Sequence, residues 1–183
     1  GQDDIHILWT QVLRRVNQSG METEVILAMF VFITTHITVY APRLDIKEFV
    51  GTSEKLWTVK TTNREHTKCN VDQLKSFSSL SIVFQRSYFI GRSRRDLRIE
   101  GVFDTRFKRR MTLFYRGKFI STETMVYMDP DQSCAVFKIE SLKDWDVVHY
   151  DLRVTNSSVT SRPRPSCPHY FNRRIGFEPS FIV

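Results

Sequence analysis

The sequence predicts an all-β fold with a little α, either a sandwich or a barrel. Three observations point there. Eight short runs rich in β-branched and aromatic residues recur at fairly regular spacing between Lys55 and Thr155. Turn residues separate several of them, at Gly91, Gly117 and Asp129-Pro130-Asp131. Several of the runs alternate apolar and polar residues, the period of a half-buried strand. The 183 residues suffice for one domain with a core, and the 13% aromatic share, including 14 Phe, suits an apolar interior.

The elements follow in order. Gly1–Gly20 carries only a weak helical pattern (Ile7, Leu8, Val12, Leu13, Val16). Val25–Ile33 is a nine-residue apolar run, too short to span a membrane, and Val39-Tyr40-Ala41 places compact residues where a signal peptidase cuts. We read 21–41 as a secretory signal and 1–20 as upstream sequence. Glu22 and Glu24 stand where basic residues are usual, so a buried N-terminal helix is the alternative. Removing 1–41 takes away two arginines and four carboxylates and raises the net charge from +7 to +9.

Leu44, Phe49 and Val50 fit one face of a short helix before Gly51. The strand runs are Lys55–Thr62, Lys68–Phe77, Ser81–Ile90, Arg95–Asp104, Arg110–Tyr115, Thr122–Met128, Cys134–Glu140 and Val147–Thr155. Arg95–Asp104 alternates clearly: Leu97, Ile99, Gly101 and Phe103 share one side, and Arg98, Glu100 and Asp104 the other. His169–Ile175 reads as a helix, and 176–183 as an atypical or truncated tail beyond a domain of 42–175.

Several function classes have no support in this sequence. It contains no His-Glu-x-x-His, no Gly-x-Ser-x-Gly and no phosphate-cradling glycine loop, so no enzyme is predicted. The three cysteines lack zinc-site spacing, and neither metal nor cofactor is expected. Two basic clusters stand out: Arg92, Arg94, Arg95 and Arg98, then Arg106, Lys108, Arg109 and Arg110. They read either as solvated hairpin ends or as an attraction to a polyanion such as a glycosaminoglycan. Without a recognisable nucleic-acid module, nucleic acid is not an expected partner. Asn156-Ser157-Ser158 is a glycosylation sequon after the last strand; Asn17-Gln18-Ser19 lies before the signal and is discounted.

Between Cys134 and Cys167 the order of motifs is specific. Cys134 leads Val136-Phe137-Lys138; the strand Tyr150-Asp151-Leu152-Arg153-Val154 runs into Asn156-Ser157-Ser158; Pro163 and Pro165 precede Cys167, and Tyr170-Phe171 follows. With Glu54–Val59 (Glu-Lys-Leu-Trp-Thr-Val) and Cys69-Asn70-Val71-Asp72, this order resembles the salivary lipocalins of ticks over Asp45–Arg174. The general lipocalin pairing of Gly and Trp two apart is absent, since Gly51 lies six residues before Trp57.

That resemblance implies an eight-stranded antiparallel up-and-down barrel, its end plugged by the short N-terminal helix and its C-terminal helix packed outside. Eight strands leave space for one small ligand. The resemblance also implies a Cys134–Cys167 disulfide strapping the tail to the seventh strand. In the family the counterpart of Cys69 bonds a later cysteine that this sequence lacks, so Cys69 is expected to be unpaired. If Cys134 points outward, then Val136, Lys138 and Glu140 do too, and Ala135, Phe137 and Ile139 face in. On the last strand the family's inward acid corresponds to Asp151, which puts His149 and Arg153 inside and Tyr150, Leu152 and Val154 outside. From pattern alone two alternatives stay open: Asp151 and Arg153 simply pair with each other at a barrel mouth, or Tyr150, Leu152 and Val154 are inward core with Asp151 and Arg153 solvated.

Family members that bind histamine or serotonin carry an Asp after the seventh-strand cysteine, and a Glu-Leu-aromatic triplet on the last strand. Here those positions hold Ala135, Asp151 and Arg153. A cation beside the surviving acid favours a ligand carboxylate over an amine. The expected function is therefore a secreted, monomeric barrel that sequesters a small host mediator. An acidic lipid such as a leukotriene or fatty acid is preferred, and a biogenic amine comes next. The alternative is a module that blocks a host protein, or binds polyanions, through its outer surface. Asp151, Arg153, Trp57, Phe103, Tyr127 and Phe137 are the candidate ligand residues, with Ile139 as further wall; each aromatic could equally be plain core.

Overall fold

A computed structural model describes residues 44–64, 67–141, 148–160 and 165–183. The upstream segment, the secretory signal and the first sequon lie outside them. Helix α1 (Ile46–Val50) is followed by strands β1 (Leu56–Thr61), β2 (Thr67–Phe77), β3 (Ser81–Ile90), β4 (Ser93–Phe103), β5 (Arg110–Tyr115), β6 (Lys118–Met128), β7 (Cys134–Ser141) and β8 (Val148–Thr155). Then come helix α2 (Asn156–Thr160), helix α3 (Ser166–Ile175) and a two-residue strand β9 (Phe181–Ile182).

The strands form an antiparallel meander that closes on itself. β2 through β8 pair in sequence, β8 pairs with β1, and β1 returns to β2 through Leu56↔Asp72 and Trp57↔Val71. The ring therefore has eight strands and no free edge over its closed part. Beyond Trp57 the outer edge of β1 takes β9 instead, at Lys60↔Ile182 and Thr61↔Phe181.

Alternation sorts side chains into two cores. Leu56, Ile82, Phe84, Ile99, Phe103, Met111, Leu113, Met125, Ala135, Phe137 and Ile139 fill the interior together with Ile46, Phe49 and Val50 of α1. Asp45 caps that helix by accepting from the Lys47 backbone N–H at 3.0 Å. Packing around Gly101 is tight enough that a Cβ there would sit 2.7 Å from Ile82 Cγ2 and 3.2 Å from Leu113 Cδ2. Only glycine lets β3 and β5 side chains meet across β4 at this level.

The second core lies outside the barrel. Cys134, Val136, Tyr150, Leu152 and Val154 form an apolar outer face beneath Cys167, Phe171 and Ile175 of α3. The Cys134–Cys167 disulfide spans 6.3 Å between Cα atoms and fixes the helix over that face. The facing inferred for β7 and β8 is the one the structure has: Ala135, Phe137 and Ile139 belong to the inner core and Val136, Leu152 and Val154 to the outer.

Candidate functional site

A charged layer crosses the barrel interior. Arg153 of β8 is 2% exposed and Glu123 of β6 fully buried. The Arg153 guanidinium donates from Nη1 to Glu123 Oε2 at 2.6 Å and from Nη2 to Glu123 Oε1 at 2.9 Å. Nη2 also donates to Asp151 Oδ2 at 3.1 Å. On the facing wall, Arg86 of β3 donates from Nε and Nη2 to the two oxygens of Asp72 of β2, both at 2.7 Å. Arg86 Nη2 also reaches Glu123 Oε1 at 3.1 Å, and Arg153 Nη1 lies 3.9 Å from Asp72 Oδ2. One network thus ties four strands together.

Three carboxylates face two guanidiniums in this layer, an excess of one negative charge. Burial by itself would push Glu123 up; the Arg153 and Arg86 charges outweigh it and hold the carboxyl down at about 2. Burial opposes the charge on both arginines as well, yet their carboxylate partners raise each guanidinium further above its ordinary value. Glu123, Arg86 and Arg153 are therefore each held in the charged form at neutral pH. The Arg153 guanidinium also lies over the Phe137 ring, 4.5 Å from its centroid.

His149 stands two residues before Asp151 and therefore points the same way. Burial lowers its basicity, against the pull of Asp151 and Glu123. Its Nδ1, Asn70 Oδ1 and Arg153 Nε are buried with no hydrogen-bond partner among the described residues. Strand pairing places Thr61 opposite Asp151, Tyr88 two beyond Arg86, Tyr115 opposite Ile99 and Ser121 two before Glu123. The wall away from α1 is accordingly polar and aromatic, and the wall towards α1 apolar. Between the layer and α1, Val50, Thr52, Leu56, Asp72, Phe84 and Arg153 line a gap of about 10 Å³, room for one water.

The sequence-derived candidates divide. Asp151, Arg153 and Phe137 come together in the charged layer. Phe103 is inside, but near α1, packed on Phe77 at 5.7 Å and under the Lys47 ammonium. Trp57 and Tyr127 do not face the interior. Trp57 packs against the outer core and donates from Nε1 to Asn156 Oδ1 at 2.9 Å. It pairs with outward Val154, while its neighbour Leu56 takes the inward place. Tyr127 stacks on Tyr170 of α3 at 4.6 Å. By strict alternation Tyr127 would follow Glu123 and Met125 inward. A bulge between Met125 and Tyr127 pairs it with outward Val136 instead, and the extra residue reverses its side.

The sequence reading missed Glu123, Asp72 and Arg86. Each had a signal: Arg86 alternates with Ile82 and Phe84, Glu123 with Met125, and Asp72 with Leu74, all inward residues. A charged group on an apolar face calls for a partner across the interior. Cys69 is free and exposed. The basic clusters are partly neutralised, Arg94 by Asp96 and Arg110 by Asp104.

The sequence matches no protein-family profile and no curated protein. Solved structures do match. The AM182 serotonin complex superposes with a TM-score of 0.61 at 17% identity, covering 78% of this chain and 91% of that one. The siderocalin Ex-FABP gives 0.54 at 12%, covering 72% and 92%. Japanin from Rhipicephalus appendiculatus, bound to cholesterol, gives 0.50 at 11%, again covering 72% and 92%.

This is the lipocalin fold. At such identities the likeness establishes the architecture alone. Lipocalins of this set differ in what they hold, as their names show, so the ligand must be argued from the interior of this barrel.

Proposed function

We propose that this lipocalin is a secreted scavenger, of the kind found in tick saliva, that sequesters a small cationic amine inside its barrel. The observation that carries the reading is the buried excess of carboxylate over guanidinium at the Asp72–Arg86–Glu123–Arg153–Asp151 layer. An ammonium next to Asp151 would balance the layer's charge where water cannot.

The preference for an acidic lipid rested on an Arg153 free to meet a carboxylate. Both of its terminal nitrogens are already taken, by Glu123 and Asp151. A second anion there would face three existing carboxylates. Polar groups on the same side of the layer, His149 and Ser121 among them, suit a small hydrogen-bonding molecule better than an acyl chain. The strapped disulfide fits an oxidising compartment. The serotonin complex among the solved neighbours is consistent with this reading.

Isothermal titration of the purified protein with serotonin, histamine and a leukotriene tests it. Sub-micromolar binding of an amine, weakened at least tenfold by Asp151→Asn, is the expected result. Tight leukotriene binding with no amine binding would reverse the assignment.

A further inference from the structure

We propose that the α1 end of the barrel docks on the surface of an anionic lipid bilayer. Two neighbouring hairpins present large apolar side chains to solvent at this end. Leu80, in the β2–β3 turn, is 60% exposed, and Phe107, in the β4–β5 turn, is 51% exposed. Phe77, at the end of β2, is 46% exposed, and Val102 of β4 is exposed beside them. The two hairpins are bound to each other: the Phe103 N–H donates to the Leu80 carbonyl at 2.9 Å, Ser81 pairs with Val102, and the Phe77 and Phe103 rings touch. The apolar groups therefore form one end surface rather than scattered single residues.

Cations surround that surface. Lys47 of α1 lies over Phe103 and donates to the Ser79 carbonyl, and the Ile46 N–H bonds the Lys108 carbonyl at 3.0 Å, which brings α1 and the β4–β5 turn together. Arg106 and Arg110 lie over the Phe107 ring, 5.5 and 4.6 Å from its centroid. Arg106, Lys108 and Arg109 are exposed. Of the nearby acids, Asp104 is tied to Arg110 and to the N–H groups of Arg106 and Phe107, and Asp45 caps α1. Exposed Glu48 is the remaining counter-charge in α1.

Apolar tips within a ring of lysine and arginine are complementary to a bilayer interface. The tips enter the acyl boundary while the cations stay at the anionic headgroups. A soluble polyanion would use the cations and gain nothing from Leu80 or Phe107; the charge-capped aromatic and the exposed leucine favour the bilayer. This surface is at the opposite end of the strands from the polar wall beyond the charged layer, so docking and ligand capture can succeed or fail separately.

Co-sedimentation with vesicles tests the proposal, using phosphatidylcholine alone and phosphatidylcholine mixed with phosphatidylserine, whose negative surface potential attracts lysine and arginine. The full chain should pellet with the anionic vesicles and far less with the neutral ones, and salt should weaken the binding. Because the apolar run Val25–Ile33 could hold a membrane by itself, the variants decide. Leu80→Ser with Phe107→Ser, and separately Arg106→Glu with Lys108→Glu and Arg109→Glu, should each lower the apparent affinity at least tenfold. All five side chains are exposed, so unchanged thermal unfolding would exclude misfolding. Binding indifferent to Leu80 and Phe107 but lost on charge reversal, with matching loss of heparin retention, would overturn it in favour of a polyanion. Binding unchanged in both variants would overturn it outright.

Discussion

Glu123→Gln is the most informative single change. The side chain is fully buried and receives two hydrogen bonds from Arg153, at 2.6 and 2.9 Å, and one from Arg86 at 3.1 Å. Glutamine keeps the shape, offers one acceptor and turns a donating amide towards a guanidinium. Arg153, 2% exposed, keeps Asp151 at 3.1 Å, and Arg86 keeps both oxygens of Asp72. Breaking one partner out of a buried pair costs about 3–5 kcal/mol. The surviving partners place this case near the lower bound, at about 3 kcal/mol. For a domain of this size that corresponds to a fall in Tm of roughly 10 °C. Urea denaturation of Glu123→Gln, Arg153→Met and the double variant gives the coupling directly, and about 2 kcal/mol of non-additivity is expected. The same change removes the layer's excess negative charge, so amine affinity should fall along with stability. A loss below about 1 kcal/mol with an additive cycle would refute the claim that the pair organises the interior.

Acidification should destabilise the barrel in a defined window. Glu123 is depressed from 4.5 to about 2, so its contribution, roughly 3 kcal/mol, is fully present above pH 4.5 and lost as pH falls towards 2. Tm measured from pH 6 to pH 2 checks this, and Glu123→Gln should flatten the profile. Replacing Cys134 and Cys167 by alanine opens a separation of 33 residues and should cost about 4 kcal/mol, read as a lower Tm that reductant no longer changes. Gly101→Val should cost about 1–3 kcal/mol, because its branches would drive into Ile82 and Leu113. Trp57→Phe should leave ligand affinity within about twofold while losing about 1 kcal/mol of stability with the Asn156 hydrogen bond. A tenfold affinity loss would put Trp57 in the ligand wall after all.

Much of the architecture was legible in the sequence. Strands β3 and β5 run from Ser81 to Ile90 and from Arg110 to Tyr115, the bounds their composition and turns predict. Once the outward direction of Cys134 is given, alternation puts Ala135, Phe137 and Ile139 inside and Val136 outside, because a strand's period is two whatever surrounds it. The apolar outer face of Tyr150, Leu152 and Val154 needed a cover, and α3 supplies it.

What the chain could not state in one dimension is which inward residues meet. Asp72, Arg86, Glu123 and Arg153 come from strands β2, β3, β6 and β8, and only the closure of β1 on β2 brings those walls face to face. Tyr127 changed sides for a related reason: a bulge arises from how two strands register, and one extra residue inverts every inference beyond it. The sequence by itself determined the strand runs and their two-residue period; the strapped tail and the outward direction of Cys134 came from the resemblance, and alternation then set the side of each neighbour. The tertiary structure alone decided the pairing of charges across the interior, since Coulomb energy depends on distances through space that barrel closure sets.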